Sequence, residues 1–223
     1  MSRNFVRRMM QIFISELLQG AILFVAAGTI RWFWAWIYLA CGILIITCNA
    51  LVLPTELIEE RGRKKENVEK WDKIITSIAT IPLLTILLVA GLDLRFGWSQ
   101  ELRLGWRIAG IIIFLVGNFL FTWAMASNYY FSTAVRLQYD REHKVATAGP
   151  YQFMRHPGYL GFILFTMATP LILGSWWAYI PAGSAVLLFI LRTYLEDKTL
   201  QHKLEGYQEY AAKVRYRLLP GIW

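Results

Sequence analysis

The sequence predicts an all-α fold: a polytopic membrane bundle of about six transmembrane segments, the last two forming a helical hairpin, with a cytoplasmic helical tail beyond it. Three observations carry that prediction. The 223 residues are 57% hydrophobic and 17% charged, against about 25% charged in an average soluble domain. Successive apolar runs reach about 18 residues or more, the length needed to cross a hydrocarbon core. The Lys and Arg residues, 23 against 15 Asp and Glu for a net charge of +8, cluster between those runs.

The first segment covers Met10 to Ile30 and the second Phe33 to Leu53. The first is too long for a removable signal peptide and lacks the small-residue cleavage site. Between the second and third segments, 56-ELIEERGRKKENVEKWD-72 has a helical pattern and reads as a solvated face, with Arg61 and Trp71 as candidates for contact with a site. The third segment runs from Ile74 to Leu92 and the fourth from Leu104 to Ser127. Gly158 to Leu173 and Trp176 to Leu191 are shorter, and the Gly174-Ser175 link fits an antiparallel helical hairpin. Glu16, Gln19 and Asn118 read as interhelical hydrogen-bonding residues. Cys41 and Cys48 lie on one expected helix and read as small packing residues, since no CxxC-type metal spacing occurs. No metal is expected, and no internal repeat is present.

Basic residues set the orientation. Arg3, Arg7 and Arg8 precede the first segment, and Arg61, Arg63, Lys64, Lys65, Lys70 and Lys73 follow the second. Arg136, Arg141, Lys144 and Arg155 precede the hairpin, and more follow Arg192. The alternation places both termini and the two long polar loops in the cytoplasm. It also explains the positive charge through topology and anionic headgroups, without a nucleic-acid partner. Trp32, Trp34, Trp36, Trp98 and Trp106 are expected as interfacial anchors. Residues 1–127 then form a four-helix transmembrane region and 128–223 a catalytic one, with the functional site on the cytoplasmic face.

Two stretches hold the chemistry. In 149-GPYQFMRHPGYLGF-162, Pro157 can start a helix. Arg155 and His156 then stand just ahead of a helix N-terminus, where backbone donors favour an anion. The plain alternative is an interfacial helix start with Arg155 reaching to headgroups; Tyr151, Arg155, His156, Pro157 and Tyr159 together argue against it. In 192-RTYLEDKTLQHKLEGYQEYAAKVRYRLLPGIW-223, Arg192 and Glu196 share a helix face. They form either an ordinary ion pair or, so close to membrane depth, a functional one. Tyr207, Tyr210 and Tyr216 read as the apolar stripe of a tail helix that folds back as a lid.

The pattern GPYxxxRHPxYxG, followed about thirty residues later by R-x3-E-x3-L and then by G-Y-x2-Y and a proline, resembles the isoprenylcysteine carboxyl methyltransferase family, with phospholipid N-methyltransferases as relatives. The resemblance covers Asn128 to Trp223. It implies S-adenosylmethionine as cofactor in a cytoplasm-facing pocket and a lipidic or prenylated substrate that arrives from the bilayer. By motif it implies that Gln138 contacts the cofactor, that His143, Lys144, Val145 and Ala146 line it, and that Tyr151, His156, Pro157, Gly158 and Tyr159 continue that wall. It gives Glu196 a polar group of the cofactor and Arg192 the reacting end of the substrate. Between Gln138 and His143 the spacing is shorter than in the eukaryotic enzymes, and Asp197-Lys198 stand where those carry an acidic run.

These residue types suit the chemistry. Tyr151 and Tyr159 offer aromatic faces to a sulfonium, and His156 with the helix start offers donors to a carboxylate. Glu196 offers an acceptor to an amine or ribose. Methylating a carboxylate calls for alignment and dehydration rather than a base. Other readings are methylation of a phospholipid amine or small thiol, an NADPH-dependent membrane reductase, or a non-catalytic transporter or scaffold.

Overall fold

A computed structural model describes residues 2–223. In order, these form α1 (Arg3–Ala27), α2 (Phe33–Val52), α3 (Thr55–Gly62), α4 (Lys70–Phe96), α5 (Leu104–Ala126), two 3-10 turns at Tyr139–Arg141 and Gly149–Gln152, α6 (Pro157–Leu173), α7 (Tyr179–Lys203) and α8 (Tyr207–Lys213). The described residues contain no β-strand.

Four helices, α1, α2, α4 and α5, are long and apolar enough to cross a membrane. The expected six spans therefore stand at four by length and composition. α6 has 17 residues, about 25 Å at 1.5 Å per residue, short of a hydrocarbon core of about 30 Å. α7 continues well past the expected end at Leu191, and its carboxy-terminal half is charged. The connection before it is longer than Gly174-Ser175, because Ser175 Oγ accepts the Ala178 amide at 3.1 Å and delays the helix to Tyr179. The charged stretch 56–72 is helical over α3 and again from Lys70, where α4 begins.

Close packing replaces hydrophobic sorting inside such a bundle, and small residues permit it. α6 lies most extensively on α5: a Cβ on Gly161 would come within 2.5 Å of the Gly117 carbonyl oxygen. α4 meets α1 through Gly91, whose Cβ would lie 2.6 Å from that of Ala26. The central core joins Leu23, Ala35, Leu39, Ile86, Ala90 and Ala182. Trp32 belongs to that core at 4% exposure, so it is no interfacial anchor; Trp36, Trp98 and Trp106 are exposed. Asn118 returns its amide to Phe114 O, 2.9 Å away on its own helix, a bond the i−4 carbonyl offers without any neighbour. Gln19 does link helices, accepting from the Tyr38 hydroxyl at 2.9 Å, and Thr122 Oγ1 donates to Asn49 Oδ1 at 2.7 Å between α5 and α2.

The two ends of the bundle differ. At one, Asp93 accepts from Ser99 and Ser175, and Arg107 donates to Ile172 O at 3.1 Å. At the other gather the start of α1, α3, the start of α4, the 127–156 loop and α8. α3 is pressed there against α1: a Cβ on Gly62 would fall 2.2 Å from Asn4 O.

Candidate active site

The long loop after α5 is fastened to the bundle before it forms any cavity. Asp72, 1% exposed on the first turn of α4, accepts the Val135 amide at 2.9 Å through Oδ2. The Glu69 amide donates to Val135 O at 3.0 Å. Arg136 donates to Glu60 Oε1 on α3 at 2.9 Å and to Asp140 at 3.1 Å. Gly149 turns the chain with φ of 58°, and a Cβ there would come 2.2 Å from Ser127 Oγ, so side chains are excluded on both counts.

The loop then meets the tail. The amides of Arg155 and His156 donate to the carbonyls of Tyr216 and Arg217, each at 2.9 Å. Asp197, 0% exposed on α7, gathers the charges between them. It receives Arg155 Nε at 2.7 Å, Arg217 Nε at 2.8 Å and the Tyr207 hydroxyl at 3.0 Å. His156 Nε2 lies 3.3 Å from the same carboxylate. Burial pushes Asp197 up, but the hydrogen bonds of His156, Arg155 and Arg217 outweigh it and hold the carboxyl well below its usual range. Arg155 Nη1 also donates to Val214 O at 2.9 Å and Arg215 O at 3.1 Å.

A cavity of about 260 Å³ opens inside this frame. Of the residues expected at the site, Gln138, His143, Lys144, Val145, Ala146, Tyr151, His156, Gly158, Tyr159, Arg192 and Glu196 line it. Pro157 does not: it is fully buried behind the wall as the first residue of α6, a position that its missing N–H and preset φ suit. The expected lid residues Tyr207 and Tyr210 also line the cavity, and Tyr210 donates to Tyr151 O at 2.7 Å.

Several of these side chains are already engaged. Gln138 Nε2 donates to Tyr130 O at 2.6 Å, and its Oε1 accepts from Arg141 at 2.7 Å. Its amide donates to His143 Nδ1 at 3.4 Å. Burial, then the charges of Arg136 and Arg141, bring His143 down to about 4, so its ring is a neutral acceptor at pH 7. The Tyr159 hydroxyl donates to Glu196 Oε2. Arg192 gives Nε to Asp72 Oδ1 at 2.7 Å and Nη2 to Thr133 O at 3.2 Å, while its guanidinium carbon stands 5.3 Å from the centre of the Tyr159 ring. Burial raises the Tyr151, Tyr207 and Tyr210 hydroxyls, which therefore stay protonated. The cavity thus offers aromatic faces to a cation, carboxylate acceptors and fixed positive charge. Among the described residues no cluster of three His, Cys, Asp or Glu could hold a metal.

Sequence reasoning passed over Asp72 and Asp197 as organising groups. Asp197 carried a signal, since Phe189, Arg192, Thr193 and Asp197 repeat at helical spacing and all are buried. Asp72 sits between Lys70 and Lys73 and looked solvated. Tyr130 and Asn128 also line the cavity, without a motif to mark them.

Residues 110–202 match the model of the isoprenylcysteine carboxyl methyltransferase family. A probable protein-S-isoprenylcysteine O-methyltransferase of Oryza sativa subsp. japonica is 27% identical over 124 residues, 51% of this chain and 62% of that protein. The protein-S-isoprenylcysteine O-methyltransferase of Saccharomyces cerevisiae is 28% identical over 108 residues, 48% of this chain and 43% of its own. Protein-S-isoprenylcysteine O-methyltransferase B of Arabidopsis thaliana is 29% identical over 118 residues, 51% and 60%. The chain thus spans less than two thirds of the length of these curated relatives.

Proposed function

We propose, taking residues 110–202 as a region of the isoprenylcysteine carboxyl methyltransferase family, that the chain is an integral-membrane methyltransferase using S-adenosylmethionine to O-methylate the carboxylate of an isoprenylcysteine-like lipid. The observation that carries this reading is the cavity, which joins five tyrosines, His156, Arg192 and Glu196 beside the membrane helices. The residues fit the donor. The rings of Tyr130, Tyr151, Tyr159, Tyr207 and Tyr210 suit a cation, and Glu196 can accept from an amine or ribose hydroxyl. His156, at the start of α6, suits a carboxylate.

When bound, the donor supplies an electrophilic methyl group on positively charged sulfur. The chain's own residues have to align the two reactants and keep water out. Tyr151 and Tyr159 close the cavity from the loop side, and Tyr207 and Tyr210 from the tail. Arg192, held by Asp72, brings positive charge to the reacting end. The acceptor carboxylate, already ionised, would offer an oxygen lone pair to that methyl group, with the sulfur taking the bonding pair as the leaving group. Opposite charges vanish together, so no proton moves and no base is required.

Residues 128–223 act in this reading as the cofactor-binding region, built on the helices of 1–127. Both described ends and the site face the cytoplasm, because the end of the bundle that holds them carries the densest Lys and Arg. Calorimetry on detergent-purified protein tests the proposal. S-adenosylmethionine should bind saturably, and Glu196→Ala or His156→Ala should weaken it about tenfold or more, the loss of about 1.4 kcal/mol. Binding of NADPH in its place would overturn the reading. Labelled-methyl transfer to farnesyl-cysteine analogues, compared with phospholipid amines and small thiols, identifies the acceptor.

A further inference from the structure

We propose that Arg61 receives the acceptor's carboxylate at the threshold between the polar cavity and a second one inside the membrane bundle. The inference rests on the methyltransferase reading and assigns where the other substrate waits. The second cavity, also about 260 Å³, lies among α1, α2, α3, α5 and α6; Ile12, Ile45, Ile46 and Phe165 give it apolar walls, and Glu16, Gln19, Asn49 and Asn118 line it too. Arg61 and Phe121 line both cavities.

Arg61 is an arginine without a counter-charge. Its Nη1 is buried and has no hydrogen-bond partner, and among the described residues it makes no ion pair. The neighbouring carboxylate, Glu60, is taken by Lys65 at 2.7 Å and Arg136 at 2.9 Å. Its guanidinium carbon stands 5.4 Å from the Phe131 ring and 5.8 Å from Phe121, so aromatic faces hold it without neutralising it. Leaving a buried donor unsatisfied costs about 1–3 kcal/mol, more for a charged group. The helix cannot swing aside to relieve this, because Gly62 abuts Asn4 O. Burial, and Arg8 beyond it, pull the guanidinium down to about 9, the mark of a cation in want of an anion.

A carboxylate on an apolar chain answers each observation. Its two oxygens match the guanidinium fork, and its chain can extend between α1, α2 and α5 while the head faces the donor cavity. Arg192, with Nε and Nη2 engaged by Asp72 and Thr133, stays at the reacting end, and Arg61 holds the carboxylate at the threshold before it. Arg61 then also distinguishes substrate from product: once methylated, the neutral ester gives the guanidinium no charge to hold.

The probes are N-acetyl-S-farnesyl-L-cysteine and its methyl ester, with binding measured by calorimetry on the full chain in detergent. Wild type should prefer the acid by about tenfold or more. Arg61→Met should abolish that preference by weakening the acid alone, with affinity for the ester and for S-adenosylmethionine unchanged. Retention of the wild-type preference in Arg61→Met overturns the proposal, as does equal binding of acid and ester by wild type. Should Arg61→Met also lose the methyl donor, Arg61→Lys decides, since it keeps charge and length but not the fork. A reduced acid preference there supports the assignment, and an undiminished one overturns it. Failure of wild type to bind S-adenosylmethionine sinks the methyltransferase reading, an outcome distinct from the acid-to-ester comparison.

Discussion

The side chains that matter most at the residue scale are those that other charges depend on. Removing the carboxylate of Asp197 by Asp197→Asn leaves Arg155 and Arg217 facing each other, and Arg155 is buried. Breaking a buried pair from one side costs about 3–5 kcal/mol. Asp197→Asn should therefore lower the thermal midpoint sharply, and Arg217→Ala by less, since that side chain is 26% exposed. His143 provides the pH test. Its folded value of about 4 lies below the unfolded 6.5, so the stability it contributes is present above 6.5 and is lost as pH falls toward 4. Melting in detergent at stepped pH should decline over that window, and His143→Gln should flatten the decline. Asp197, also depressed, adds its loss in a lower window, below the ordinary carboxylate range. The legibility of these residues was uneven. His156 and Tyr159 stood out because polar residues at a membrane edge are expensive. Asp197 and Asp72 were hidden by lysines next to them in sequence, although their partners come from residues far along the chain.

Helix-to-helix contacts set the element scale, and small residues at the contacts set the distances. Gly161→Val should break the α5–α6 contact, since even a Cβ would fall 2.5 Å from Gly117 O; overpacking of this kind costs about 1–3 kcal/mol or more. Gly183 on α7 is the control, as a Cβ there meets nothing within 4 Å. Gly183→Ala should be neutral or stabilise by up to about 1 kcal/mol, the helix-propensity difference. Thermal unfolding of both variants in one detergent separates the two. The long apolar runs made α2 and α5 readable nearly to the residue. α4 and α7 ran longer than expected because hydropathy marks where a helix is apolar, whereas hydrogen bonding and caps decide where it stops. The Ser175 turn before α7 left no trace in hydropathy at all. The helical pattern of 56–72 reads as a solvated face, whereas α3 stops at Gly62 and lies against α1 there.

For the whole molecule, the cavity joins three parts of the chain that composition alone would keep apart: Arg61 of α3, the 127–156 loop and the tail. A ligand that bridges them stabilises the fold in proportion to its occupancy, about 2.7 kcal/mol at a concentration one hundred times its Kd. S-adenosylmethionine should accordingly raise the melting temperature and slow proteolysis between α7 and α8; protection of the 63–69 connection without protection of the tail would count against a cavity shared by loop and tail. The fold class was legible because a bilayer admits few solutions. The assembly of the site was not, since no local pattern announces that residues 155 and 156 bond to 216 and 217. That short ladder also imposes an order in time. A ribosome releases the chain from its amino end at about 5–20 residues per second, so α1 to α5 can be in place before residue 217 emerges. Until then Asp197 has lost one of its cationic partners and the cavity has no far wall. The earlier helices can be inserted, oriented and packed while still unable to bind a ligand there, and the arrival of residues 216 and 217 is what switches the pocket on.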